Sequence, residues 1–202
     1  MKLNKEYWEE RYSSKNTGWD IGYISDPLKS YIDQLKDTSL KILIPGAGNA
    51  YEAEYLFKKG FKNTFILDFA SLPLQNLKER FPDIPSENLI QENFFDHIGK
   101  YDLLLEQTFF CALPPELRSQ YAEKIFELLN DNGTQAGLLF KREFESNGPP
   151  FGGSREEYLE NFKPLFSIKT METCYNSIPE RQGNELFFIF KKNKRKCQQT
   201  LF

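Results

Sequence analysis

Residues 40–52 read Leu-Lys-Ile-Leu-Ile-Pro-Gly-Ala-Gly-Asn-Ala-Tyr-Glu, an apolar run that passes into a glycine-containing turn and then into a helical segment. The first five residues predict a buried strand, because they are apolar apart from one lysine and a turn follows them directly. A helix is predicted from about Ala50 to Lys59, where Gly60 can end it. Strand, turn and helix in this order predict the first unit of an α/β fold.

Further along the chain, short strand-like runs continue to alternate with helical segments. The strands are predicted at 63–68, 89–92, 102–106 and 134–140, and the helices at 70–80 and from Pro114-Pro115 toward Leu129. This alternation predicts βαβ units and a largely parallel sheet. The last two strand candidates, 166–175 and 186–191, are separated by only about ten residues. A helical crossover needs a dozen or more residues, so these two strands should pair antiparallel.

A parallel sheet that closes with a carboxyl-terminal antiparallel hairpin is the arrangement of class I methyltransferases. We therefore expect a single-domain, Rossmann-like α/β fold with a mostly parallel sheet of seven strands. Residues 1–39 are rich in Tyr and Trp, include a predicted helix after Asp26-Pro27, and should form an aromatic cap over the strand ends. The core is expected over residues 40–192 and a basic tail over residues 193–202.

Composition limits the functional classes that fit the chain. Its 202 residues carry 26 Lys+Arg and 29 Asp+Glu, a net charge of −3, which favours a small-molecule substrate over nucleic acid or an anionic membrane. The three cysteines are scattered and form no disulfide framework or zinc site, so no metal is expected. Without an apolar signal sequence or a membrane-spanning run, we expect a cytoplasmic protein that acts as a monomer.

The glycine turn and an aspartate at the end of the second strand form the main binding signal. Asp68 follows Gly48 by twenty residues. A dinucleotide-binding fingerprint would have a third glycine at Tyr51, so this residue weakens a nicotinamide assignment. S-adenosylmethionine has no pyrophosphate; its amino-acid tail can lie against Gly46 and Gly48, and Asp68 can accept hydrogen bonds from both ribose hydroxyls. The alternative is a tight turn with Asp68 as a strand-end cap.

The ends of the third and fourth strands supply further candidates, because ligands bind at the carboxyl ends of strands in open α/β sheets. Asn93 could recognise the adenine edge and Phe94 could cover its face, although Phe94 would equally suit a core. Glu106 is expected to face the cofactor, with a salt-bridged or solvated carboxylate as the alternative. Cys111 is interpreted as a small buried hydrophobe and His97 as a surface loop residue, so neither receives a catalytic role.

The chain resembles the thiopurine S-methyltransferase superfamily, and most closely its halide/thiol methyltransferase branch. The likeness covers about residues 7–190 and depends on the order and spacing of several short motifs. These motifs are Gly18-Trp19-Asp20, the Pro-Gly-x-Gly loop at 45–48, the run from Glu106 to Arg118, and Gly148-Pro149-Pro150-Phe151.

The resemblance implies a site for S-adenosyl-L-methionine and a role for several further residues. Trp8, Tyr12 and Trp19 would close over the cofactor, and Gln107 would lie with Asn93 and Phe94 around the adenosine. Aromatic faces also suit a desolvated sulfonium. The acceptor would be a small soft nucleophile such as a thiol, thiopurine, hydrosulfide or halide. Its pocket would be built from Phe109, Phe140 and Phe151. Arg118 would lie near the acceptor or near the cofactor carboxylate, with a surface ion pair as the alternative.

The chain departs from the family pattern at a few positions that bear on the acceptor. Asn93 stands in place of the more usual Asp, Glu106-Gln107 in place of Asp followed by Tyr or Arg, and Phe140 where Tyr can occur. These changes leave the cofactor assignment intact but leave the acceptor open. Two other functions remain as alternatives: a catalytically silent protein that binds S-adenosylmethionine, and a nicotinamide-dependent oxidoreductase.

Overall fold

The computed structural model describes residues 3–145 and 148–193. The strands are β1 Ile42–Pro45, β2 Thr64–Asp68, β3 Leu89–Gln91, β4 Tyr101–Gln107, β5 Leu129–Phe140, β6 Phe166–Thr173 and β7 Glu185–Lys192. They form one sheet in the order β3-β2-β1-β4-β5-β7-β6. Strands β1 to β5 pair in parallel, and β7 is antiparallel to both β5 and β6. The mostly parallel seven-stranded sheet and its terminal antiparallel hairpin are therefore confirmed.

Helices cover both faces of the sheet. They are α1 Lys5–Ser13, α2 Asp26–Asp33, α3 Tyr51–Lys58, α4 Ser71–Arg80, α5 Arg118–Leu128 and α6 Arg155–Phe162. Successive strand residues point to opposite faces, so Leu43 and Leu104 join the core with α5 and α6, while Ile42 and Leu103 join the core with α2, α3 and α4. Burial on both faces explains why the central strands are almost continuously apolar.

Two helices, α1 and α6, were not predicted from the sequence, for different reasons. Helix α1 buries no side chain, so it shows no apolar periodicity that could be detected. Helix α6 begins after Ser154, whose hydroxyl accepts from the backbone N–H of Glu157 at 3.2 Å. Ser154-x-x-Glu157 matches a capping box, and this pattern was available in the sequence.

Strand β5 is longer than predicted. It begins at Leu129, directly after α5, and passes through Asn132, which has a φ of 63°. The Asn132-Gly133 pair predicts a turn ahead of the strand, but asparagine tolerates the left-handed conformation inside an irregular strand. The strand therefore starts before that pair instead of at Thr134.

His97 is buried, which corrects its interpretation as a surface loop residue. Only 6% of the residue is exposed. Its Nε2 lies 2.8 Å from the hydroxyl of Tyr101, and its Nδ1 contacts the carboxylate of Glu92. A ring with a polar partner at each nitrogen can be buried, and both partners here lie within five residues of His97 in the sequence.

Several polar contacts hold the amino-terminal segment over the carboxyl ends of the strands. The Glu9 carboxylate accepts a hydrogen bond from the backbone N–H of Ser71, at the start of α4. The Ser25 hydroxyl donates to the Gln107 side chain at 2.6 Å, and Arg181 donates to the carbonyl of Trp19 at 2.8 Å. The predicted basic tail at 193–202 lies outside the described residues beyond Asn193. In the described part of the chain, every helix lacks the length and apolar character needed to cross a membrane.

Candidate active site

A cavity of about 850 Å³ lies between the cap and the carboxyl ends of β1, β2 and β4. Most of the residues singled out from the sequence converge on it. Those that line the cavity are Trp8, Tyr12, Trp19, Gly46, Gly48, Asp68, Asn93, Phe94, Gln107, Phe109 and Phe140. Glu106, Arg118 and Phe151 do not line it.

The glycine loop between β1 and α3 is shaped by left-handed backbone. Gly46 and Gly48 have φ values of +55° and +53°. Neither has room for a side chain: a Cβ at Gly46 would overlap the ring of Phe109, and one at Gly48 would lie 2.7 Å from the Tyr12 hydroxyl. The loop therefore needs glycine both for its conformation and for close approach to neighbouring rings.

Asp68 ends β2 and fixes this loop. One carboxylate oxygen accepts from the Gly48 N–H and the other from the Ala70 N–H, each at 2.9 Å. Burial raises the pKa of Asp68 to about 6, because desolvation outweighs these stabilising bonds. Each oxygen keeps a further lone pair with which it can accept from a hydroxyl. Both the strand-end cap and a ribose contact are thus compatible with its position.

The aromatic residues of the cap pack against one another over the loop. The ring of Trp19 meets Trp8 edge-on at 5.5 Å and Tyr12 at 5.7 Å between centroids. The Arg11 guanidinium lies 5.2 Å from the Trp19 ring centre. These contacts place several π faces at the cavity, an environment that suits a desolvated cation.

Glu9 anchors α1 to the start of α4. Its carboxylate accepts from the Ser71 N–H at 2.5 Å, the Ser71 hydroxyl at 2.8 Å and the Leu72 N–H at 3.4 Å. Helix α4 receives no side-chain cap from Ala70, its own N-cap residue. Glu9 therefore supplies from another helix the acceptor that a serine or aspartate normally provides.

This contact predicts a measurable effect on the mobility of the cap. Glu9→Ala, which removes both carboxylate oxygens, should speed amide hydrogen exchange in α1 by about three- to tenfold, since losing an N-cap acceptor costs about 1 kcal/mol. The exposed neighbour Glu10 provides the matched control, Glu10→Ala. Identical exchange in the two variants would show that Glu9 does not hold the cap.

Asn93 and Phe94 lie together at the far side of the cavity. Phe94 is 3% exposed and packs its ring against Phe109 at 5.2 Å and Tyr121 at 5.4 Å. The Asn93 side-chain oxygen accepts from the Phe95 N–H at 3.1 Å. Phe94 is therefore a core residue whose edge also reaches the cavity, so its two interpretations are not exclusive.

Glu106 points away from the cavity, contrary to expectation. One oxygen accepts from the N–H groups of Phe109 and Phe110 at 2.9 and 2.8 Å, and the other accepts from the Tyr121 hydroxyl at 2.6 Å. Burial raises its pKa to about 7. Neighbouring strand residues face opposite sides, so Gln107 reaches the cavity and Glu106 shapes the loop that carries Phe109.

Arg118 and Phe151 also lie outside the cavity lining. The Arg118 guanidinium pairs with the Glu157 carboxylate and donates to the Gly152 carbonyl at 2.6 Å. Phe151 is half-buried and donates its N–H to the Cys111 carbonyl at 2.6 Å. Arg118 is the first residue of α5 and faces α6; it forms an ion pair, as the alternative had it, but this pair holds a buried guanidinium and not one on the surface.

Arg181 is a cavity residue that sequence analysis missed. Its guanidinium carbon lies 5.6 Å from the Phe140 ring centre, and it donates to Trp19 at 2.8 Å and to Glu185 at 3.5 Å. The β5–β7 register pairs Phe140 with Glu185, which brings the residues just before β7 to the cavity. The predicted hairpin alone could not reveal this, because it did not include pairing between β7 and β5.

Comparison with known proteins agrees with this architecture. The family model for thiopurine S-methyltransferase (TPMT) matches residues 3–197. A probable thiol methyltransferase 2 of Arabidopsis thaliana is 26% identical, over 92% of this chain and 84% of that protein. A thiopurine S-methyltransferase of Psychrobacter cryohalolentis is 23% identical, over 94% of this chain and 100% of that protein.

Solved structures share the fold at lower identity. A Burkholderia thailandensis 1,6-didemethyltoxoflavin-N1-methyltransferase with bound S-adenosylhomocysteine superimposes with a TM-score of 0.74 at 14% identity, over 95% of this chain and 88% of that one. Magnesium protoporphyrin IX methyltransferase from Synechocystis with bound S-adenosylmethionine gives 0.71 at 11%, over 94% and 95%. The class I methyltransferase fold is thereby confirmed, and the chain belongs to the thiopurine S-methyltransferase family and is a methyltransferase that uses S-adenosyl-L-methionine.

Proposed function

We propose that this chain transfers a methyl group from S-adenosyl-L-methionine to a small, soft, anionic nucleophile, with a thiolate as the preferred class. The observation that supports this acceptor is the makeup of one cavity. It joins the glycine loop and Asp68 to apolar walls from Phe109, whose ring lies against Gly46, and from Phe140, beside the Arg181 guanidinium. The glycine loop with Asp68 suits a nucleoside-bearing cofactor, and the apolar walls with their guanidinium suit an anion that reacts best when it is desolvated.

The proposed chemistry is an in-line displacement at the sulfonium methyl group. The acceptor sulfur forms the new bond to carbon as the carbon–sulfonium bond breaks, and S-adenosylhomocysteine leaves as a neutral thioether. A thiolate needs alignment and removal of water more than a general base. Among the described residues that line the cavity, none is a histidine that could act as a general base. Burial raises the pKa of the Cys111 thiol, which keeps this thiol protonated.

In this proposal the cofactor lies along the strand ends in an extended arrangement. Its amino-acid tail lies on Gly46 and Gly48, and its ribose hydroxyls donate to Asp68. Asn93 and Phe94 flank the adenine. Trp8, Tyr12 and Trp19 close over the sulfonium as a mobile lid, and Gln107, which is bonded to Ser25, links that lid to β4. Apart from Ser25, all of these residues line the one cavity, and this supports the arrangement.

Family resemblance implies that Arg118 lies near the acceptor. We assign that role to Arg181 instead. Arg118 and its partner Glu157 both lie outside the cavity lining, whereas Arg181, which also pairs with Glu185 at 3.5 Å, lines the cavity beside Phe140. A guanidinium stays charged and can offset part of the cost of desolvating an anion without taking its proton.

Replacing Arg181 tests this assignment. Arg181→Met should lower kcat/KM for anionic acceptors by about tenfold, the value of a hydrogen bond to a charged group. Affinity for S-adenosylhomocysteine, measured by calorimetry, should stay nearly constant. Arg181→Lys keeps the charge and serves as the matched control, with a smaller loss. A collapse of cofactor affinity in Arg181→Met would instead place the arginine in the cofactor site.

An acceptor panel tests the function as a whole. Purified protein would be supplied with S-adenosylmethionine and, in turn, alkyl and aryl thiols, a thiopurine, thiocyanate, hydrosulfide and iodide, with S-adenosylhomocysteine release as the readout. We expect release with thiolates above the level without acceptor. Cofactor binding without release for any acceptor would support the silent binding protein, and a fluorescence change with a nicotinamide cofactor would support the oxidoreductase.

We further propose that the protein acts as a cytoplasmic monomer on a small molecule and does not bind nucleic acid. Its net charge of −3 supports the last point, because affinity for nucleic acid depends on excess positive charge. Sedimentation of the purified chain would test the monomer.

A further inference from the structure

A buried carboxylate binds the loop after β4, and its charge is stabilised by hydrogen bonds instead of by a cation. Glu106 is 1% exposed. It accepts from the N–H groups of Phe109 and Phe110 at 2.9 and 2.8 Å and from the Tyr121 hydroxyl at 2.6 Å. Among the described residues, no lysine, arginine or histidine forms an ion pair with it. The bonds that stabilise the charge are therefore the bonds that fix the loop.

This loop is strained, and it reaches the cavity. Thr108 has a φ of +63°, which is unfavourable for a β-branched side chain. The ring of Phe109, the next residue, lies against Gly46 and packs on Phe94 at 5.2 Å. Thr108 and Phe109 both line the cavity. Because the bonds from Glu106 span the strained residue, the position of the Phe109 ring depends on how firmly the carboxylate binds the loop.

Behind Glu106 the hydrogen bonds continue into the core through two further side chains. The Tyr121 hydroxyl, which donates to Glu106, accepts from the Gln135 amide nitrogen at 2.8 Å. The amide oxygen of Gln135 is buried and has no hydrogen-bond partner within the described part of the chain. A buried acceptor without a donor is costly. It also allows a second arrangement: once the amide turns over, Tyr121 can donate to Gln135 and accept from a protonated Glu106.

The two arrangements differ in how firmly they bind the loop. A hydrogen bond to an ionised carboxylate is about twice as strong as one to a neutral carboxyl oxygen, so the N–H groups of Phe109 and Phe110 are bound more tightly when Glu106 is charged. Burial raises the pKa of Glu106 to about 7, and the bond from Tyr121 opposes this rise. Both arrangements are therefore populated near neutral pH.

The groups around Glu106 and its loop leave this titration to the carboxyl group itself. The ionisable or charged side chains packed there are Tyr121 and Arg118 of α5, Cys111 of the loop and Tyr158 of α6. Burial raises the pKa of both tyrosines and of the cysteine, so they stay neutral, and Arg118 pairs with Glu157. Strand β1 carries no charge, and the residue of β5 that pairs with Glu106 is Gly137.

We propose that Glu106 is a proton-responsive positioning residue for methyl transfer: its ionised carboxylate, supported by Tyr121, holds Phe109 in the place that turnover requires. This inference rests on the proposed function, in which Phe109 is a wall of the acceptor pocket. Protonation weakens the bonds to the loop, so turnover falls as pH drops through the range in which Glu106 titrates. The effect acts through Phe109, because Glu106 itself lies outside the cavity lining.

The first test measures the bonds to the loop and needs no turnover. In protein that carries isotope-labelled phenylalanine, the amide shifts of Phe109 and Phe110 should titrate with a midpoint near pH 7, because the acceptor they share changes its charge. Glu106→Gln, which stays neutral, should abolish this titration. Tyr121→Phe should move the midpoint to higher pH, since it removes a bond that favours the ionised form. Amide shifts that do not titrate, or that titrate unchanged in Glu106→Gln, would overturn the proposal.

The second test measures kcat with an acceptor whose charge is constant, such as thiocyanate, iodide or an aryl thiol that is ionised at every pH used. Saturating S-adenosylmethionine keeps the titration of Asp68 out of kcat. We expect kcat to fall about fivefold from the high-pH to the low-pH side of the Glu106 titration, and Glu106→Gln to stay at the low value throughout. Glu52 lines the cavity and its pKa is also raised to about 7, but it is intact in Glu106→Gln. A profile lost in that variant therefore belongs to Glu106.

Asp102→Asn is the matched control, because Asp102 lies on the same strand and its carboxylate accepts from Lys41 and Asn130 away from the cavity lining. It should keep the pH profile of the unmodified protein. A Glu106→Gln variant that also keeps this profile would overturn the proposal and leave the proposed function standing.

Two further outcomes separate this proposal from the function on which it rests. A chain that turned over no acceptor would overturn the proposed function and the role of Glu106 in turnover, while a titration of the two amides would still support its bonds to the loop. If Glu106→Gln does not fold, Tyr121→Phe decides both tests. Its amide titration and its kcat profile should move together to higher pH, and a kcat profile that stays in place while the amides move would overturn the proposal.

Discussion

Asp68→Ala is expected to weaken S-adenosylhomocysteine binding by about 2–3 kcal/mol, roughly thirty- to 150-fold, because it affects the site in two ways. The ribose hydroxyls lose their acceptor, and the N–H groups of Gly48 and Ala70, each 2.9 Å from the carboxylate, lose theirs. The second effect loosens the loop on which the methionyl tail rests. Calorimetry on the purified variant would measure the change.

Asp102 offers a matched control at the opposite end of the sheet. It accepts from the Lys41 N–H at 2.9 Å and from the Asn130 amide at 2.8 Å, so it too is a strand-end cap. Asp102→Ala should cost stability but leave affinity unchanged. A cofactor analogue without ribose hydroxyls should bind Asp68→Ala and the unmodified protein with a much smaller difference; an undiminished difference would contradict the ribose contact.

The raised pKa of Asp68 gives this interaction a pH dependence with a definite sign. The ordinary value of 3.8 rises to about 6 in the folded chain, so the folded state holds the proton more tightly than the unfolded state. The carboxyl therefore opposes stability increasingly as pH rises from 3.8 to about 6 in the ligand-free protein. Methylthioadenosine, whose ribose would need the anion, should bind more weakly below about pH 6, and Asp68→Ala should flatten that profile.

The parts of this molecule that sequence could predict are those encoded over short distances. Gly46, Gly48 and Asp68 are placed by one strand-turn-helix unit and the strand that follows, so their convergence needs only a parallel pairing of β1 and β2. The hairpin of β6 and β7 follows from a connection too short for a crossover. These features depend on local periodicity and length, which the chain displays directly.

Glu106 and Arg118, which lie outside the cavity lining, have partners distant in sequence. Glu106 turns toward Tyr121, and Arg118 toward Glu157, thirty-nine residues away. The residues next to Glu106 and Arg118 in the sequence give no indication of these partners. Arg181 reaches the cavity only through the β5–β7 register. A motif can thus bring a residue close to a site, but the direction of its side chain is decided by tertiary pairing.

Gly46→Ala is expected to lower kcat/KM by about thirtyfold or more, since two penalties act at the same place. The left-handed φ of +55° costs an alanine about 1–2 kcal/mol. The added methyl group would also overlap the ring of Phe109. Such overpacking typically costs about 1–3 kcal/mol more. Phe109 packs on Phe94 at 5.2 Å and Tyr121 at 5.9 Å, so it cannot withdraw into the core and must move into the cavity.

Gly60→Ala separates the two penalties, because Gly60 has a φ of +94° but its nearest neighbour, a Thr38 methyl, would lie 3.8 Å from the new Cβ. Gly60 is not part of the cavity lining, so this control should lose stability and keep its affinity for S-adenosylhomocysteine. Gly46→Ala combined with Phe109→Ala should relieve the overlap and recover cofactor affinity while turnover stays low, since the apolar wall behind the acceptor is then missing. Full turnover in Gly46→Ala alone would mean that Phe109 is not fixed where acceptor and cofactor meet, and the apolar pocket would have to be placed elsewhere in the cavity.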